Sequence, residues 1–187
     1  MKISISPGNS KVGKIPSISL PPGKACADGV PCFEKCYAMK AYRMYPNVRK
    51  AYNRNYLMLT QHRLEYFGQL NQWIFNHKPK YFRFHVSGDF IDAEHVRRTL
   101  ETVRRFPGTS FLAFTKSYSL LPEYESLPSN LSLIVSVWND YGSVIRLCRK
   151  AYTFTDGRTP PPGVFECPGH CDECLECFNS GNRPDVW

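Results

Sequence analysis

Seven of the eight cysteines in this 187-residue chain fall in two short clusters near its opposite ends. The N-terminal cysteine set comprises Cys26, Cys32 and Cys36. The C-terminal cysteine set comprises Cys167, Cys171, Cys174 and Cys177. Short spacings allow several thiolates to converge on one metal without the closure of a long loop. The segment MKISISPGNS lacks an apolar signal-peptide core, so we expect a cytoplasmic protein, in which clustered cysteines indicate metal or redox chemistry rather than disulfides.

The two sets differ in the number of ligands that they offer. Four thiolates in the C-terminal set can complete a [4Fe-4S] cluster or a tetrahedral zinc site, and the spacing does not separate the two metals. Three thiolates in the N-terminal set suit a [4Fe-4S] cluster with one iron open to a ligand or substrate. Two other interpretations are zinc with a distant fourth residue, and one shared site that takes its fourth ligand from the tail. His170 lies inside the second cluster, and Cys148 has the apolar neighbours of a buried structural thiol.

The positive charge is concentrated in one half of the chain. Residues 1–88 carry a net charge of +11 and residues 89–187 carry −3, which together give the formal +8. This pattern indicates either a solvated basic face or a surface for an anion such as nucleic acid, a phosphorylated substrate or an acidic protein. Aromatic residues interleave with the charge in RKAYNRNY and KPKYFRFH, which suits nucleotide stacking. No apolar run reaches the length of a membrane span, so we expect no membrane association.

The apolar pattern alternates between helix and strand along most of the chain. It predicts strands over Ile15–Leu20, Tyr81–Val86, Ser110–Thr115, Leu131–Trp138 and Tyr152–Thr155. It predicts helices over Val48–His77, Ala93–Phe106, Leu120–Ser126 and Tyr141–Lys150. Such alternation indicates an α/β fold, here a small partial (β/α) barrel with a mostly parallel sheet. We expect a single domain over residues 1–187, with the barrel and its three-cysteine loop in 1–155 and an irregular, cysteine-rich metal-binding tail in 156–187.

Polar residues occupy one predicted strand face and the strand ends. Period-two alternation places Arg83, His85 and Ser87 on one face, and we expect Ala113 and Thr115 of the next strand to join them. In a curved parallel sheet the polar face is the concave interior, and chemistry occurs at the carboxyl ends of the strands.

The strand ends therefore supply the candidate catalytic residues. These are Asp89 and Lys116, together with His85, although a histidine satisfied within the core is the commoner outcome at such a position. His95 is predicted to be an ordinary helix or surface residue.

Several segments resemble those of a known protein family. They are SPGNSKVGKIPSISLPPGKAC at residues 6–26, Cys36-Tyr37-Ala38, FRFHVSGDF at 82–90 and FLAFTK at 111–116. Over nearly the whole chain these segments resemble the phage "gene product 88" family. The order of strand, three-cysteine loop, helix and Gly-acid motif is more distantly similar to radical SAM enzymes, although the spacing here is x5 and x3 rather than x3 and x2.

The second resemblance carries cofactor expectations. It implies a TIM-barrel-like fold, a [4Fe-4S] cluster whose open iron binds S-adenosylmethionine, and cofactor contacts from Ser87, Gly88 and Asp89. An auxiliary cluster in the tail is also implied. The leading hypothesis is therefore a cytoplasmic iron–sulfur protein with one or two [4Fe-4S] clusters, acting in redox or radical SAM-like chemistry on a small molecule or nucleotide. The alternatives are a zinc-stabilised nucleic-acid-binding protein and a host-interaction protein with a structural metal.

Overall fold

The computed structural model describes residues 1–10, 12–121, 127–142, 148–179 and 183–187. Within these ranges six strands form one sheet, in sequence order: β1 (Ile5–Ser6), β2 (Ser17–Ile18), β3 (Tyr81–Phe84), β4 (Ser110–Thr115), β5 (Leu131–Trp138) and β6 (Arg149–Thr153). The strands β1 and β2 are antiparallel, and each later neighbour is parallel. The predicted α/β class and mostly parallel sheet are confirmed, and the sheet is open, with β1 and β6 as the first and last of these strands.

The helices lie between or after these strands. They are α1 (Tyr37–Met44), α2 (Pro46–Gln61), α3 (Arg63–His77), α4 (Ala93–Arg105) and α5 (Cys171–Cys174). The single helix predicted over Val48–His77 is two helices, because His62 has a φ of −135° and a ψ of 48° that interrupt the helical backbone. Asp92 caps α4 by accepting a hydrogen bond from the backbone N–H of His95 at 2.7 Å. No described helix combines the length and the apolarity that a bilayer crossing requires.

Helices cover one face of the sheet. The strand register aligns Phe82 with Phe111, and Phe111 with Leu131, so these three side chains share that face. They are buried together with apolar residues of α2, α3 and α4, among them Leu59, Leu70, Ile74, Leu100 and Val103. Burial of this apolar surface is the main stabilising contribution of the helical layer.

The opposite face differs from the surface of small or polar residues that alternation predicts. The register aligns Arg83 with Leu112 and Leu112 with Ser132, so this face mixes a cation, an aliphatic side chain and a hydroxyl. The prediction that Ala113 shares the face of Arg83 is wrong. The pairing of the strands decides which residues share a face, and Ala113 is aligned with Phe84, on the face opposite Arg83. Leu112 instead belongs to a second buried cluster, together with Ile15, Ile134 and Phe178.

The tail supplies part of that second cluster. It is more regular than predicted, since α5 and a 3-10 turn at Glu176–Phe178 pack against the sheet. Near its end, the backbone N–H of Val186 donates to Lys150 O, and the backbone carbonyl of Val186 accepts from Tyr152 N. Both distances are 2.8 Å. The end of the tail therefore continues the sheet beyond β6.

Two predicted helices fall partly outside the described residues. The helix predicted over Tyr141–Lys150 is wrong at its end, because Arg149 and Lys150 belong to β6, and residues 143–147 lie outside the described ranges. Of the helix predicted over Leu120–Ser126, only a 3-10 turn at Tyr118–Leu120 is seen, and residues 122–126 lie outside the described ranges.

Candidate metal centres

The N-terminal cysteine loop lies at the carboxyl edge of the parallel strands. After β2, the backbone N–H of Leu20 donates to Ser87 O at 2.9 Å, and His85 N donates to Ile18 O at 2.9 Å. Further along the loop, Asp89 N donates to Ala25 O at 2.5 Å. These bonds attach the cysteine loop to the segment that follows β3, which brings it beside the Ser87-Gly88-Asp89 motif.

Burial controls the chemistry of the first thiol in this loop. The side chain of Cys26 is half-buried and accepts a hydrogen bond from Gly23 N at 3.3 Å. Burial raises the pKa of Cys26 to about 11; the Gly23 N–H opposes the rise, while Asp89, Cys36 and Cys32 add to it. A thiol in this environment stays protonated at neutral pH, and a bound cation would favour its thiolate.

Asp89 is held by hydrogen bonds on both carboxylate oxygens. Its Oδ1 accepts from the Thr115 hydroxyl at 2.7 Å and from Phe90 N at 2.7 Å, and its Oδ2 accepts from Lys116 N at 2.6 Å. Burial raises the pKa of Asp89, and these hydrogen bonds oppose that rise. The structure thus brings Asp89 and Lys116 together, through the lysine backbone, and gives Asp89 a role in joining the ends of β3 and β4.

Gly88 has a conformation and a packing position that suit glycine. Its φ is +75°, and a Cβ atom at this position would lie 2.7 Å from Leu20 Cβ and 3.0 Å from Leu20 O. The neighbouring Ser87 is buried, and its hydroxyl has no hydrogen-bond partner among the described residues. Close approach of two backbone segments explains Gly88, whereas the buried Ser87 hydroxyl is left without a partner among the described residues.

The structure places His85 among the helix-side aromatic residues and not on the polar strand face. The strand ends at Phe84, and a φ of +54° at His85 breaks the alternation. Its buried ring contacts Phe90 and His95 edge to face, with ring centroids 4.8 and 5.1 Å apart. Burial lowers the pKa of His85 to about 3, so the ring is neutral at physiological pH. His95, predicted to be an ordinary helix or surface residue, lies in the helix α4 and is buried, with only 1% of it exposed.

The C-terminal cysteine set lines a single pocket. All four cysteines line it, as does His170, and Phe165 and Phe178 are also among its lining residues. Cys167 is exposed and the other three are half-buried. Among the described residues, no three or more His, Cys, Asp or Glu side chains are grouped so that they could hold a metal ion. Cys148, predicted to be a buried structural thiol, is half-buried against the helix-side core.

Two arginines act electrostatically on the last thiol of this set. Burial raises the pKa of Cys177 to about 11; Arg149 opposes the rise, Cys167 and Cys171 add to it, and Arg83 also opposes it. Arg149 donates to Glu176 O at 2.9 Å and lies 3.4 Å from the Glu176 carboxylate. Sequence reasoning placed Arg83 only on a strand face and missed its relation to Cys177; the available signal was one arginine in an otherwise apolar strand.

Tyrosines near the N-terminal set were also missed. The hydroxyl of Tyr37 donates to Val86 O at 2.6 Å, and that of Tyr118 donates to Ser136 O. The rings of Tyr118 and Tyr141 contact each other at 5.0 Å, and both phenols are electrostatic neighbours of Asp89 and Cys32. These phenols therefore lie around the cysteine loop at the carboxyl edge of the sheet.

The fold and these sites define a small α/β protein with a cysteine loop at the carboxyl edge of its sheet and a cysteine-lined pocket over the face opposite the helices. The chain belongs to the Gene product 88 family, whose model matches residues 4–181. It is similar to the Gene 88 protein of Mycobacterium phage D29, with 29% identity over 182 residues that cover 86% of this chain and 76% of that protein. The predicted resemblance to this phage family is confirmed. No solved structure matches the chain.

Proposed function

We propose that this phage protein is an iron–sulfur protein with two [4Fe-4S] sites, one in each cysteine set. The observation that carries the proposal is that all four C-terminal cysteines line one pocket. The N-terminal set would bind a cluster through Cys26, Cys32 and Cys36, leaving one iron open to another ligand. Such clusters supply one-electron transfer when they are bound, so the proposed activity is redox chemistry.

The chemistry of the donors fits this assignment. Thiolates are soft ligands that select iron–sulfur clusters or zinc over hard cations such as magnesium and calcium. At the N-terminal set, the Gly23 N–H already donates to Cys26 Sγ, and hydrogen bonds to sulfur are one of the means by which proteins adjust cluster potentials. Closure of either set around a cluster would require the thiols to converge further and lose their protons.

Two separate sites agree with the surroundings of the thiols better than one shared site. The pKa of Cys26 responds to Cys32 and Cys36, whereas that of Cys177 responds to Cys167 and Cys171. The N-terminal set adjoins the carboxyl ends of the strands. The C-terminal set adjoins their beginnings, where Phe178 contacts Tyr81 at the first position of β3. This separation supports a second cluster over a fourth ligand donated from the tail.

The strands follow one another in sequence order and helices cover one face of the sheet, which supports the finer proposal of a partial barrel. Its concave side would be the face that the tail covers.

Radical SAM-like chemistry is the more specific form of the proposed activity. The unpartnered Ser87 hydroxyl and the close backbone approach at Gly88 support a cofactor contact there. Asp89 would hold the rim of that site through its three hydrogen bonds, and equilibrium dialysis with S-adenosylmethionine tests this form separately.

Metal and sulfide analysis of anaerobically purified protein tests the main proposal. We expect about eight iron and eight sulfide per chain, broad visible absorption, and an electron paramagnetic resonance signal after reduction. Cys36→Ser and Cys177→Ser should each lose the iron of one site, while the matched control Cys148→Ser should keep both. A colourless protein that holds zinc and no sulfide contradicts the proposal.

A zinc-stabilised nucleic-acid-binding protein is the second candidate, favoured by one surface. Around α1 the aromatic residues Phe33 and Tyr45 are 54% and 56% exposed, beside the exposed cations Lys35, Arg43 and Arg49. Stacking aromatics among cations suit a single-stranded nucleic acid. Binding of labelled single-stranded DNA should then weaken steeply with salt, and the double variant Arg43→Ala/Arg49→Ala should reduce the salt slope by roughly 1–2. Arg104→Ala, an exposed cation on α4, is the control, and no binding at low salt contradicts this candidate.

A further inference from the structure

Arg83 is a buried cation in the middle of the sheet. It occupies the third position of β3 and is 7% exposed. Its guanidinium lies over the ring of Phe114, 4.9 Å from the ring centroid. The Nε atom is buried without a hydrogen-bond partner, and within the described ranges no carboxylate forms an ion pair with this side chain.

The neighbouring arginine shows what is missing at Arg83. Arg149 also acts electrostatically on Cys177, and its guanidinium lies 3.4 Å from the Glu176 carboxylate, which neutralises it. Phe114 offers Arg83 only its ring face, which attracts a cation but carries no net charge. A buried cation without a counter-ion is strongly unfavourable, so an anion close to Arg83 would remove a large penalty.

The tail packs over the sheet face that carries Arg83, and the Cys177 thiol and the Tyr37 phenol are acidic groups whose pKa the Arg83 charge lowers. Leu112 is aligned with Arg83 in the neighbouring strand, and it belongs to the same buried cluster as Phe178, against which Cys177 packs. Tyr81, on the same strand face two residues before Arg83, contacts Phe178 with ring centroids 5.0 Å apart. A metal centre with four thiolate ligands, whether [4Fe-4S]²⁺ or zinc, carries a net charge of about −2.

We propose that Arg83 is the internal counter-ion of a metal–thiolate centre formed by the C-terminal cysteine set. This inference rests on the proposed function, and it makes Arg83 a positioning residue that acts on the centre through its charge. It has two consequences of opposite sign. Without metal, Arg83 is a buried charge that no carboxylate of the described residues neutralises, so its replacement by an apolar side chain leaves the protein equally or more stable. With metal, the same replacement weakens the centre.

The test compares Arg83→Met, Arg83→Lys and the exposed α2 control Arg49→Met in the full chain. Co²⁺ serves as the probe, because its thiolate complexes absorb in the visible and near-ultraviolet, and Cys177→Ser identifies the signal that belongs to the tail. We expect Arg83→Met to weaken Co²⁺ binding at the tail tenfold or more, Arg83→Lys to stay within about threefold of wild type, and Arg49→Met to have no effect. In the iron-loaded protein, Arg83→Met should lower the one-electron potential by about 59 mV, which is a tenfold change in the equilibrium constant.

Thermal unfolding of the metal-free proteins distinguishes this role from a structural one. We expect a midpoint for Arg83→Met at or above that of wild type. A lower midpoint, or failure of the metal-free variant to fold, overturns the inference and makes Arg83 a structural residue. Unchanged Co²⁺ affinity in Arg83→Met also overturns the inference but leaves the proposed function intact. Failure of the wild-type chain itself to bind Co²⁺ or iron through thiolates overturns both.

Discussion

The carboxylate of Asp89 accepts a hydrogen bond from the hydroxyl of Thr115 at 2.7 Å, and this bond joins the ends of β3 and β4. The backbone of the same aspartate donates to Ala25 O, immediately before Cys26. Asp89 therefore connects the cysteine loop to two central strands. Its position at the rim of the candidate site follows from these bonds.

Asp89→Asn should destabilise the protein. An amide has one acceptor oxygen, so its NH₂ group would face at least one of the donors that now bond to the carboxylate. We expect a loss of about 1–3 kcal/mol in the free energy of unfolding, because a buried donor loses its acceptor. Denaturant titration measures this loss, with Asp28→Asn at an exposed loop position as the control. Equal midpoints for the two variants would show that the bonds to Asp89 contribute nothing to stability.

Gly88→Ala should also be destabilising, for steric reasons. The φ of +75° is unfavourable for alanine, and the new methyl group would lie 2.7 Å from Leu20 Cβ. We expect a cost of about 1–3 kcal/mol from the strained backbone and the displaced loop. Gly108→Ala is the matched control, since nothing lies within 4 Å of its added methyl group and its φ is not positive. Thermal unfolding of the pair measures the difference, and a neutral Gly88→Ala is incompatible with the backbone approach described above.

The buried histidine pair makes stability depend on pH. Burial lowers the pKa of His85 to about 3 and that of His95 well below its usual value, whereas both groups titrate near pH 6.5 in the unfolded chain. The unfolded state therefore binds more protons below pH 6.5. Stability should fall as the pH decreases from about 6.5 towards 3, by about 1.4 kcal/mol per pH unit for each histidine.

His85→Phe tests this origin of the acid sensitivity. The substitution keeps an aromatic ring against Phe90 and removes two buried nitrogens that lack partners among the described residues. The free energy of unfolding of this variant should change less steeply with pH, because the difference in bound protons between the unfolded and folded states is smaller by about one. Its stability at neutral pH should be maintained. The exposed His62→Gln serves as the control, and unfolding curves at several pH values supply the slopes. A slope equal to that of wild type would assign the acid sensitivity to other groups.

Hydrophobic periodicity predicts the central elements of the fold accurately. The strands over Ser110–Thr115 and Leu131–Trp138 begin and end as predicted, because both are long, apolar and bounded by polar residues. The two-residue strand Ile5–Ser6 and the helix Tyr37–Met44 were not predicted, since two residues carry no period and eight residues span little more than two helical turns. The break at His62 was missed for a related reason, as the apolar stripe continues across it.

The sequence predicts the candidate site only where individual residues identify it by their type and spacing. The cysteine spacing and the Ser87-Gly88-Asp89 motif identify two places in the fold, and the parallel register brings that motif to the cysteine loop. Strand phase and side-chain direction depend on pairing and on local φ, so alternation misplaced Ala113 and His85. The relation of Arg83 to the tail joins residues far apart in the sequence, and no local pattern contains it.

The position of the tail against the sheet leads to a last prediction. Phe178 follows Cys177 directly, is 4% exposed and contacts Tyr81 across the sheet face opposite the helices. Phe178→Ala should cost about 3–5 kcal/mol, because it removes a buried ring and leaves a cavity beside the cysteine-lined pocket. Phe75→Ala, at a phenylalanine that is 62% exposed on α3, should stay within about 0.5 kcal/mol of wild type.

Thiol alkylation adds a local measurement to these stabilities. In Phe178→Ala, Cys177 should react faster than in wild type, because loss of the packed ring admits solvent to a thiol that burial keeps protonated. Mass spectrometry after a short alkylation pulse separates this site from Cys26, whose rate should not change if the tail loosens alone. Phe178→Ala could instead unfold in one step, with its thiols alkylated at wild-type rates at temperatures below the unfolding transition. In that case the tail and the sheet form one cooperative unit. That outcome would support the single domain expected over residues 1–187 and contradict local loosening of the tail.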